Sequence, residues 1–425
     1  MPSELTDERE YLEERRERLA HAGPREPGPG AVSRRRLLQM VAAGVPLLGS
    51  LGAAGRAVAG PGPAPAPPPI RKPIPPEWFV SFGTNAEMRW DAVPGLGYTI
   101  PNERFFVRNH TSTPTIDAAG YRLRIEGAAL RKGPVEFSYP ELLRLHSREV
   151  TAFVECADNG RSFFGSQQRA PASGTAWGLG AIGVARWRGV PLSVLLDRAR
   201  VDLRRAVDVM PEGLDATVVA GGIDQGHVRR PLSIAKALDD ALVALEMNGE
   251  PLPPDHGFPA RLIVPGWIGI ASIKWLGRIE VSDVPLTSYW NTTQYRFTGG
   301  EYPAGSPPLT EQVVKSAWEL PRPATLAAGV PATMRGRSWS GHGRIRRVEV
   351  SNDGGATWHR AHLRGPNHRL AWVRWSVPWR DPRPGAYELL ARATEDRGNT
   401  QPDTVPFNSN GYLFGAVVRH PLTVS

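Results

Sequence analysis

The sequence predicts two successive folds, an α+β domain and then an all-β sandwich of immunoglobulin type. Three observations carry this. Between Tyr98 and about Gly300, strand-like alternation is interleaved with short helical patterns. From about Val313 onward the helical signals stop, and short strands recur at even spacing over roughly 110 residues. Gly (45) and Pro (42) make up about a fifth of the 425 residues and no window sustains a heptad, which disfavours a helical bundle. At 41% hydrophobic and 22% charged, the chain can bury a real core.

Residues 1–59 read as an address. Glu4 to Ala20 is polar all round, with pairs such as Glu14 and Arg18 at helical spacing and no apolar face to dock. Ser33-Arg34-Arg35-Arg36-Leu37-Leu38, an uncharged stretch to Gly55 and the small-residue site Ala57-Val58-Ala59 are the parts of a twin-arginine export signal. Gly44, Pro46, Gly49 and Gly52 make the stretch a poor permanent span, which needs about 20 strongly apolar residues, although an uncleaved anchor stays open. That route carries proteins already folded, often around a cofactor, and implies a periplasmic or other extracytoplasmic location. Residues 60–97 follow as a Pro-rich linker and lead-in, with Gly60 to Pro76 stiff and extended.

The first globular domain is placed at 98–301. Tyr121 to Ile125 alternates as a strand, and Pro140 to Leu145 reads as a short helix opened by Ser138. Val150 to Glu155 alternates again and delivers Cys156 to the turn Asp158-Asn159-Gly160. Pro191 to Arg200 is helical in pattern, with Leu192, Leu195 and Leu196 on one face; Arg261 to Val264 and Arg278 to Val281 are strands. The second domain is placed at 302–425. There Arg347 to Val350 alternates, Asn352-Asp353-Gly354-Gly355 turns, and Thr357-Trp358 begins the return strand. Tyr387 to Ala393 is a further strand before the Asp396-Arg397-Gly398-Asn399 turn.

Several function classes drop out early. One cysteine, Cys156, excludes internal disulfides, zinc ribbons, iron–sulfur clusters and CxxCH haem attachment. The net charge is +9, but 46 of the 51 basic residues are Arg, scattered along the chain. That ratio reflects composition drift, so nucleic-acid binding is not expected, while an anionic substrate or partner suits the charge. Gly178-Leu-Gly180-Ala-Ile-Gly183 matches GxGxxG but lacks a preceding buried strand, and is read as a glycine-rich turn. GxSxG is absent.

Chemistry concentrates at Cys156. A lone Cys is usually a small buried hydrophobe, but this one ends a strand with Arg161 close behind, and a guanidinium favours the thiolate that binds metals. One soft ligand cannot hold an ion alone, so the site needs a cofactor that brings its own donors. Phe106-Val107-Arg108-Asn109-His110, His256 to Arg261 and Ser272-Ile273-Lys274 place cations, imidazoles and small residues on loops, as a phosphorylated organic cofactor would require.

These segments, with Phe153-Val-Glu-Cys156-Ala-Asp-Asn-Gly-Arg161, Trp177, Glu246-Met-Asn-Gly-Glu-Pro-Leu-Pro and Lys274-Trp-Leu-Gly-Arg-Ile, resemble the molybdenum-cofactor domain of the sulfite oxidase family. Met334-Arg-Gly-Arg-Ser-Trp-Ser-Gly-x-Gly-Arg and Val350-Ser-x-Asp-Gly-Gly-x-Thr-Trp358 resemble its C-terminal dimerisation domain, and the likeness runs from about Tyr98 to His420. The resemblance implies an α+β molybdopterin-binding domain followed by an immunoglobulin-like dimerisation domain, and one molybdenum–molybdopterin per chain. Cys156 would ligate the metal. Phe106, Val107, Arg108, Asn109 and His110, together with Asp224, His256, Arg261, Ser272, Ile273 and Lys274, would hold the pterin and its phosphate. Arg108, Arg161, Trp177 and Tyr295 would line the substrate pocket. It further implies a homodimer, no haem within this polypeptide, and a separate electron acceptor such as a c-type cytochrome. The expected reaction is oxidation of sulfite or a related small sulfur oxyanion; reduction of an S-oxide or N-oxide, or a non-catalytic remnant of the fold, are the alternatives.

Departures from the family pattern cluster on charge. Its Cys-Ala-Gly-Asn-Arg-Arg run is here Cys156-Ala-Asp158-Asn-Gly160-Arg161. Ser173 stands where animal enzymes carry a Lys, and Asn408-Ser-Asn410-Gly411 replaces Asn-x-Arg-Gly. Three positive charges are lost around the oxyanion pocket and one negative charge is gained.

Overall fold

The computed structural model describes residues 69–299, 302–303 and 305–425. The export signal expected at 1–59 and the start of the Pro-rich stretch lie outside the described residues. Among those described, no helix is long and apolar enough to cross a membrane.

The first domain is built on two sheets. One has the spatial order Leu232–Ser233, Asp208–Gly213, Leu276–Ser282, Arg122–Glu126, Val135–Ser138. Leu276–Ser282 runs antiparallel to Asp208–Gly213 and parallel to Arg122–Glu126, so this sheet is mixed. The other has the order Glu250–Pro251, Leu242–Met247, Ile182–Pro191, Arg148–Glu155, with Arg261–Ile263 added on Leu242–Met247. Alternation puts Leu123 and Ile125 wholly inside and leaves Arg122 and Arg124 outside, as period-2 patterning requires. The helix Tyr139–Arg144 starts where expected, because Ser138 and Glu141 form a reciprocal capping box. The helix Leu192–Arg198 buries Leu192, Leu195 and Leu196.

Among the described residues three α-helices escape the sequence pattern, one of them the single turn Tyr289–Thr292. Ser162–Gln168 buries the consecutive Phe163 and Phe164 rather than residues at helical spacing, and Ile234–Asp239 is six residues long, held by its Ser233 N-cap. In place of the glycine-rich turn expected at 178–183, an irregular run leads into the strand Ile182–Pro191, and its glycines have a packing reason. A Cβ on Gly180 would lie 1.9 Å from the Met88 carbonyl oxygen, and one on Gly183 2.4 Å from the Phe105 ring.

The second domain is the all-β sandwich. One sheet has the order Lys315–Trp318, Ala332–Trp339, Trp372–Trp379, His362–Arg364. The facing sheet runs Ala324–Leu326, His420–Val424, Gly385–Glu395, Ile345–Ser351, His359–Arg360. The hairpin after Ile345–Ser351 turns where expected: Gly354 and Gly355 take positive φ, and the Asp353 carboxylate accepts from Thr357 N at 2.9 Å.

The two domains share a core. Phe153, Trp187 and Ile263 of the first pack in one cluster with Trp339, Trp372 and Phe414 of the second. The lead-in joins the same seam, with Trp372 Nε1 donating to Tyr98 O at 2.8 Å. Residues 69–76, expected as the end of a stiff linker, lie on the first domain. Ile70 is buried, and the backbone N–H groups of Arg71 and Lys72 donate to the Asp255 carboxylate at 2.9 and 2.8 Å.

Candidate active site

Cys156 leaves the end of the strand Arg148–Glu155 and enters a tight loop that leads into the helix Ser162–Gln168. The loop is pinned from inside by Ala181, whose carbonyl accepts from Cys156 N at 3.0 Å and whose N–H donates to Asn159 Oδ1 at 3.0 Å. It is pinned from outside by the sandwich. Glu155, fully buried, meets Lys315 Nζ at 2.8 Å and accepts from Trp339 Nε1 at 2.8 Å. Lys315 also donates to Asn159 O, and Gln312 Nε2 donates to the carbonyls of Glu155 and Cys156 at 2.9 and 3.3 Å. The second domain therefore fixes the backbone on both sides of the thiol.

The thiol faces a pocket whose empty space, mouth included, is about 710 Å³, within the usual range for small-molecule sites. Its walls carry most of the expected residues: Phe106, Arg108, Asn109 and His110 from one loop, His256 and Arg261 from a second, Ser272, Ile273 and Lys274 from a third, and Tyr295. Four expected residues stand elsewhere. Val107 is buried in a small cluster with Ile70, Phe79 and Ala86. Trp177 is fully buried, edge-on to Phe82, and backs the turn after Cys156 instead of lining the pocket. Asp224 is exposed on the hairpin Val219–Asp224, where its carboxylate accepts from Gly226 N; Asp215 lines the wall in its stead. Arg161 lies behind the wall, in a buried ion pair with Asp158 at 2.9 Å.

That pair corrects one expectation. Arg161 was expected to lower the Cys156 thiol, but burial together with the Asp158 carboxylate pushes it up to about 12, against the opposing pull of Arg108 and Arg161. A bound metal ion would deprotonate it outright. Arg108 stays firmly charged despite burial, because Tyr295, Cys156 and Asp158 surround it.

Deeper in the pocket, cations crowd together. Burial lowers Lys274 well below its ordinary range and Arg261 to about 9; Lys72, outside the lining with its Nζ 3.4 Å from His256 Nε2, is lowered to about 7. His256 and His110 are driven well down by burial and by neighbouring cations, so both imidazoles are neutral. The nearest carboxylate is largely occupied: Asp255 accepts from two backbone N–H groups and from Thr113 Oγ1 at 2.5 Å. Arg261 donates to His256 O and Ser272 O, yet its buried Nε has no partner. Buried cations of this kind need an anion. One soft thiol, a cluster of under-compensated cations and an orphaned guanidinium N–H fit a cofactor that brings its own metal donors and a phosphate. Among the described residues no three His, Cys, Asp or Glu side chains converge as a metal site.

At the outer face, Tyr295 Oη and His110 Nε2 are 3.2 Å apart, and Tyr295 stacks on Tyr412 at 5.2 Å. Tyr295 takes φ +53°, a strained setting of the kind that functional sites retain. Sequence reasoning missed Tyr412, Asp255 and Lys72. Only the Pro-Asp255-His256 run beside an expected residue carried a signal for any of them.

Residues 110–290 match the oxidoreductase molybdopterin-binding domain family, and residues 310–422 match the Mo-co oxidoreductase dimerisation domain family. The chain is 38% identical to the sulfite oxidase of Gallus gallus over 336 residues, covering 74% of this chain and 71% of that one. It is 35% identical to the mitochondrial sulfite oxidase of Mus musculus over 343 residues, covering 75% of this chain, and it spans 60% of the mouse protein's length. Among solved structures, it resembles the sulfane dehydrogenase SoxCD of Paracoccus pantotrophus with a TM-score of 0.69 at 30% identity, covering 80% of this chain and 86% of that one. On these matches, which span both domains, the chain belongs to the sulfite oxidase family of molybdopterin oxidoreductases.

Proposed function

We propose that the protein is an exported molybdenum-cofactor oxidoreductase that oxidises sulfite, or a related small sulfur oxyanion, and delivers the electrons to a separate carrier such as a c-type cytochrome. The observation that carries this reading is Cys156 standing alone on a pocket wall opposite buried cations that the protein leaves under-compensated. When bound, the molybdenum–pterin group supplies oxygen-atom transfer and accepts two electrons. Sulfite and water become sulfate, two protons and two electrons, and the electrons leave to the carrier.

The chain's own residues divide the work. Cys156 Sγ holds the metal. Arg261, Lys274 and the backbone around Ser272 hold the phosphate, and neutral His256 can offer the pterin either a donor or an acceptor. Arg108, charged and beside the thiol, orients an anion's oxygens. Tyr295 and neutral His110 share a hydrogen bond on the pocket wall, which holds the tyrosine hydroxyl in place there. A homodimer through the sandwich is part of the proposal, supported by the match to the dimerisation domain family.

The test uses the full chain, expressed with its leader in a host that makes molybdopterin. We expect one molybdenum and one pterin per chain, and sulfite-dependent reduction of ferricyanide. A protein free of metal and pterin sinks the cofactor assignment. A loaded protein that ignores sulfite but reduces a neutral sulfoxide or N-oxide replaces the proposed reaction with the reverse oxo transfer. Export should depend on Arg34 and Arg35: changing both to Lys keeps the charge but removes the guanidinium pair, and normal export of that variant overturns the proposed route.

A further inference from the structure

We propose that Asp158 sets the charge specificity of the substrate pocket: by capturing Arg161 it converts a substrate-facing guanidinium into a structural clamp, so the site favours singly charged or neutral sulfur compounds over dianions. The inference rests on the functional reading above. It concerns what the pocket selects, not whether the cofactor binds.

The geometry of Arg161 carries it. Its Nε donates to Asn410 O at 2.8 Å, Nη1 to Thr175 O at 3.3 Å, and Nη2 meets Asp158 Oδ2 at 2.9 Å. Each nitrogen of the guanidinium is therefore engaged by the protein, and the side chain is 7% exposed. The surrounding backbone is shaped to close on it. A Cβ on Gly174 would lie 2.3 Å from Arg161 Nη1, one on Gly411 2.7 Å from Arg161 Cγ, and both glycines take positive φ. The segments clamped in this way are the two that depart from the family's charge pattern. Ser173 N reaches Ser409 O, and Asn410 supplies a carbonyl to Arg161 while its side chain donates to Thr298 Oγ1.

Asp158 thus stands within one layer of the pocket, close enough that its charge is felt at Cys156, Tyr295 and Tyr412. Its Oδ2 meets Arg161, and its Oδ1 is buried without a hydrogen-bond partner. Arg108 is left as the cation at the substrate end, with Lys274 and Arg261 at the phosphate end. A dianion placed beside Cys156 meets Arg108 on one side and an already neutralised pair on the other.

The test measures binding of two tetrahedral probes of one shape and different charge, sulfate and methanesulfonate, to molybdenum-loaded protein at neutral pH by titration calorimetry. Asp158→Asn keeps the size and removes the charge. We expect sulfate to tighten by about tenfold or more in the variant and methanesulfonate by less than about threefold, because freeing Arg161 helps the dianion most. Sulfate affinity unchanged within about twofold, or methanesulfonate gaining as much as sulfate, overturns the proposal. If Asp158→Asn folds poorly with Arg161 uncompensated, the double variant Asp158→Asn with Arg161→Gln removes both charges. It should bind sulfate within about threefold of the natural protein; a loss beyond about tenfold shows that Arg161 was binding the anion all along. Loaded protein that shows these shifts but does not oxidise sulfite separates this inference from the proposed reaction.

Discussion

Two buried guanidinium groups, Arg337 in the sandwich and Arg261 in the first domain, are handled in opposite ways. In the sandwich, Arg337 meets Glu319 at 2.7 Å, directs its remaining N–H groups to Tyr98 O and Gly97 O, and lies 4.4 Å over the Trp372 ring. Burial lowers this guanidinium, and Glu319 opposes the shift. In the pocket of the first domain, Arg261 and Lys274 are both pushed down, as is Lys72 beside it, with Asp255 and Asp215 as the neighbouring carboxylates, and Arg261 Nε has no hydrogen-bond partner. A structural ion pair is complete within the protein, whereas a binding site is recognised by what it still lacks. The Glu155–Lys315 pair follows the first rule while serving the second region, because it fixes the loop that presents the thiol.

The largest test of this contrast is Cys156→Ser. An alcohol is a much poorer donor to a soft or high-valent metal, so we expect molybdenum per chain to fall and sulfite turnover to drop at least about a hundredfold. Metal analysis and a thermal melt on one sample check it, and the fold should survive because the change is nearly isosteric. Full activity in the Ser variant would sink the ligand assignment.

A matched pair of substitutions sharpens the comparison further. Arg337→Gln leaves Glu319 buried without its cation and should cost about 3–5 kcal/mol, read by denaturant unfolding, with cofactor retention unchanged once the protein is folded. Arg261→Gln removes a cation that the cofactor-free protein does not compensate, so the empty protein should lose far less stability or gain some. In cofactor-free protein, inorganic phosphate at about ten times its dissociation constant should raise stability by about 1.4 kcal/mol, and Arg261→Gln should abolish that gain. Equal losses from both substitutions would erase the distinction between the two regions.

Much of this contrast was legible in the chain, and the exceptions have physical causes. The strands, the capped helix at Tyr139 and the Asp353 hairpin come from local chemistry, so alternation, Ser138 with Glu141, and paired glycines announce them. Cys156, Arg108, His256, Arg261 and Lys274 were nameable because each sits in a run of cations and small residues. What sequence could not place was set by long-range packing. Asp224 fell on an exposed hairpin because the wall was filled by Asp215 from an earlier turn. Trp177 went inward to Phe82, a partner about 95 residues away that no local pattern encodes. The pull of Arg161 on the thiol persists but is outweighed, because burial and the Asp158 carboxylate three residues before Arg161 both raise the group. Tyr412 joins the site from the last stretch of the chain, packing into the same core cluster as Tyr295 and Trp290.

A further test comes from the seam between the two regions, where a carboxyl is buried with backbone partners in place of a cation. Glu87 Oε2 accepts from Gly180 N at 3.1 Å, and Gly178 N lies against the same carboxyl. Both N–H groups favour the charged form, but burial outweighs them and raises the group from 4.5 to about 7. The folded state therefore holds this proton more tightly than the unfolded chain does. Glu87's contribution to stability is fully present below about pH 4.5 and is lost as pH rises through about 7, a span worth on the order of 3 kcal/mol. Other groups titrate nearby: Asp215, raised to about 6, adds a change of the same sign, and His420, lowered to about 4, adds one of the opposite sign. The difference between wild type and Glu87→Gln isolates Glu87, because the amide oxygen can still accept from Gly178 and Gly180 while carrying no proton equilibrium. We expect the stability difference, variant minus wild type, to grow steadily in the variant's favour between pH 4.5 and 7 and to be flat below 4.5. A difference that is constant across that window means the two backbone N–H groups hold Glu87 charged after all. The seam would then follow the same rule as the Arg337–Glu319 pair, with the protein meeting its own buried charge in full.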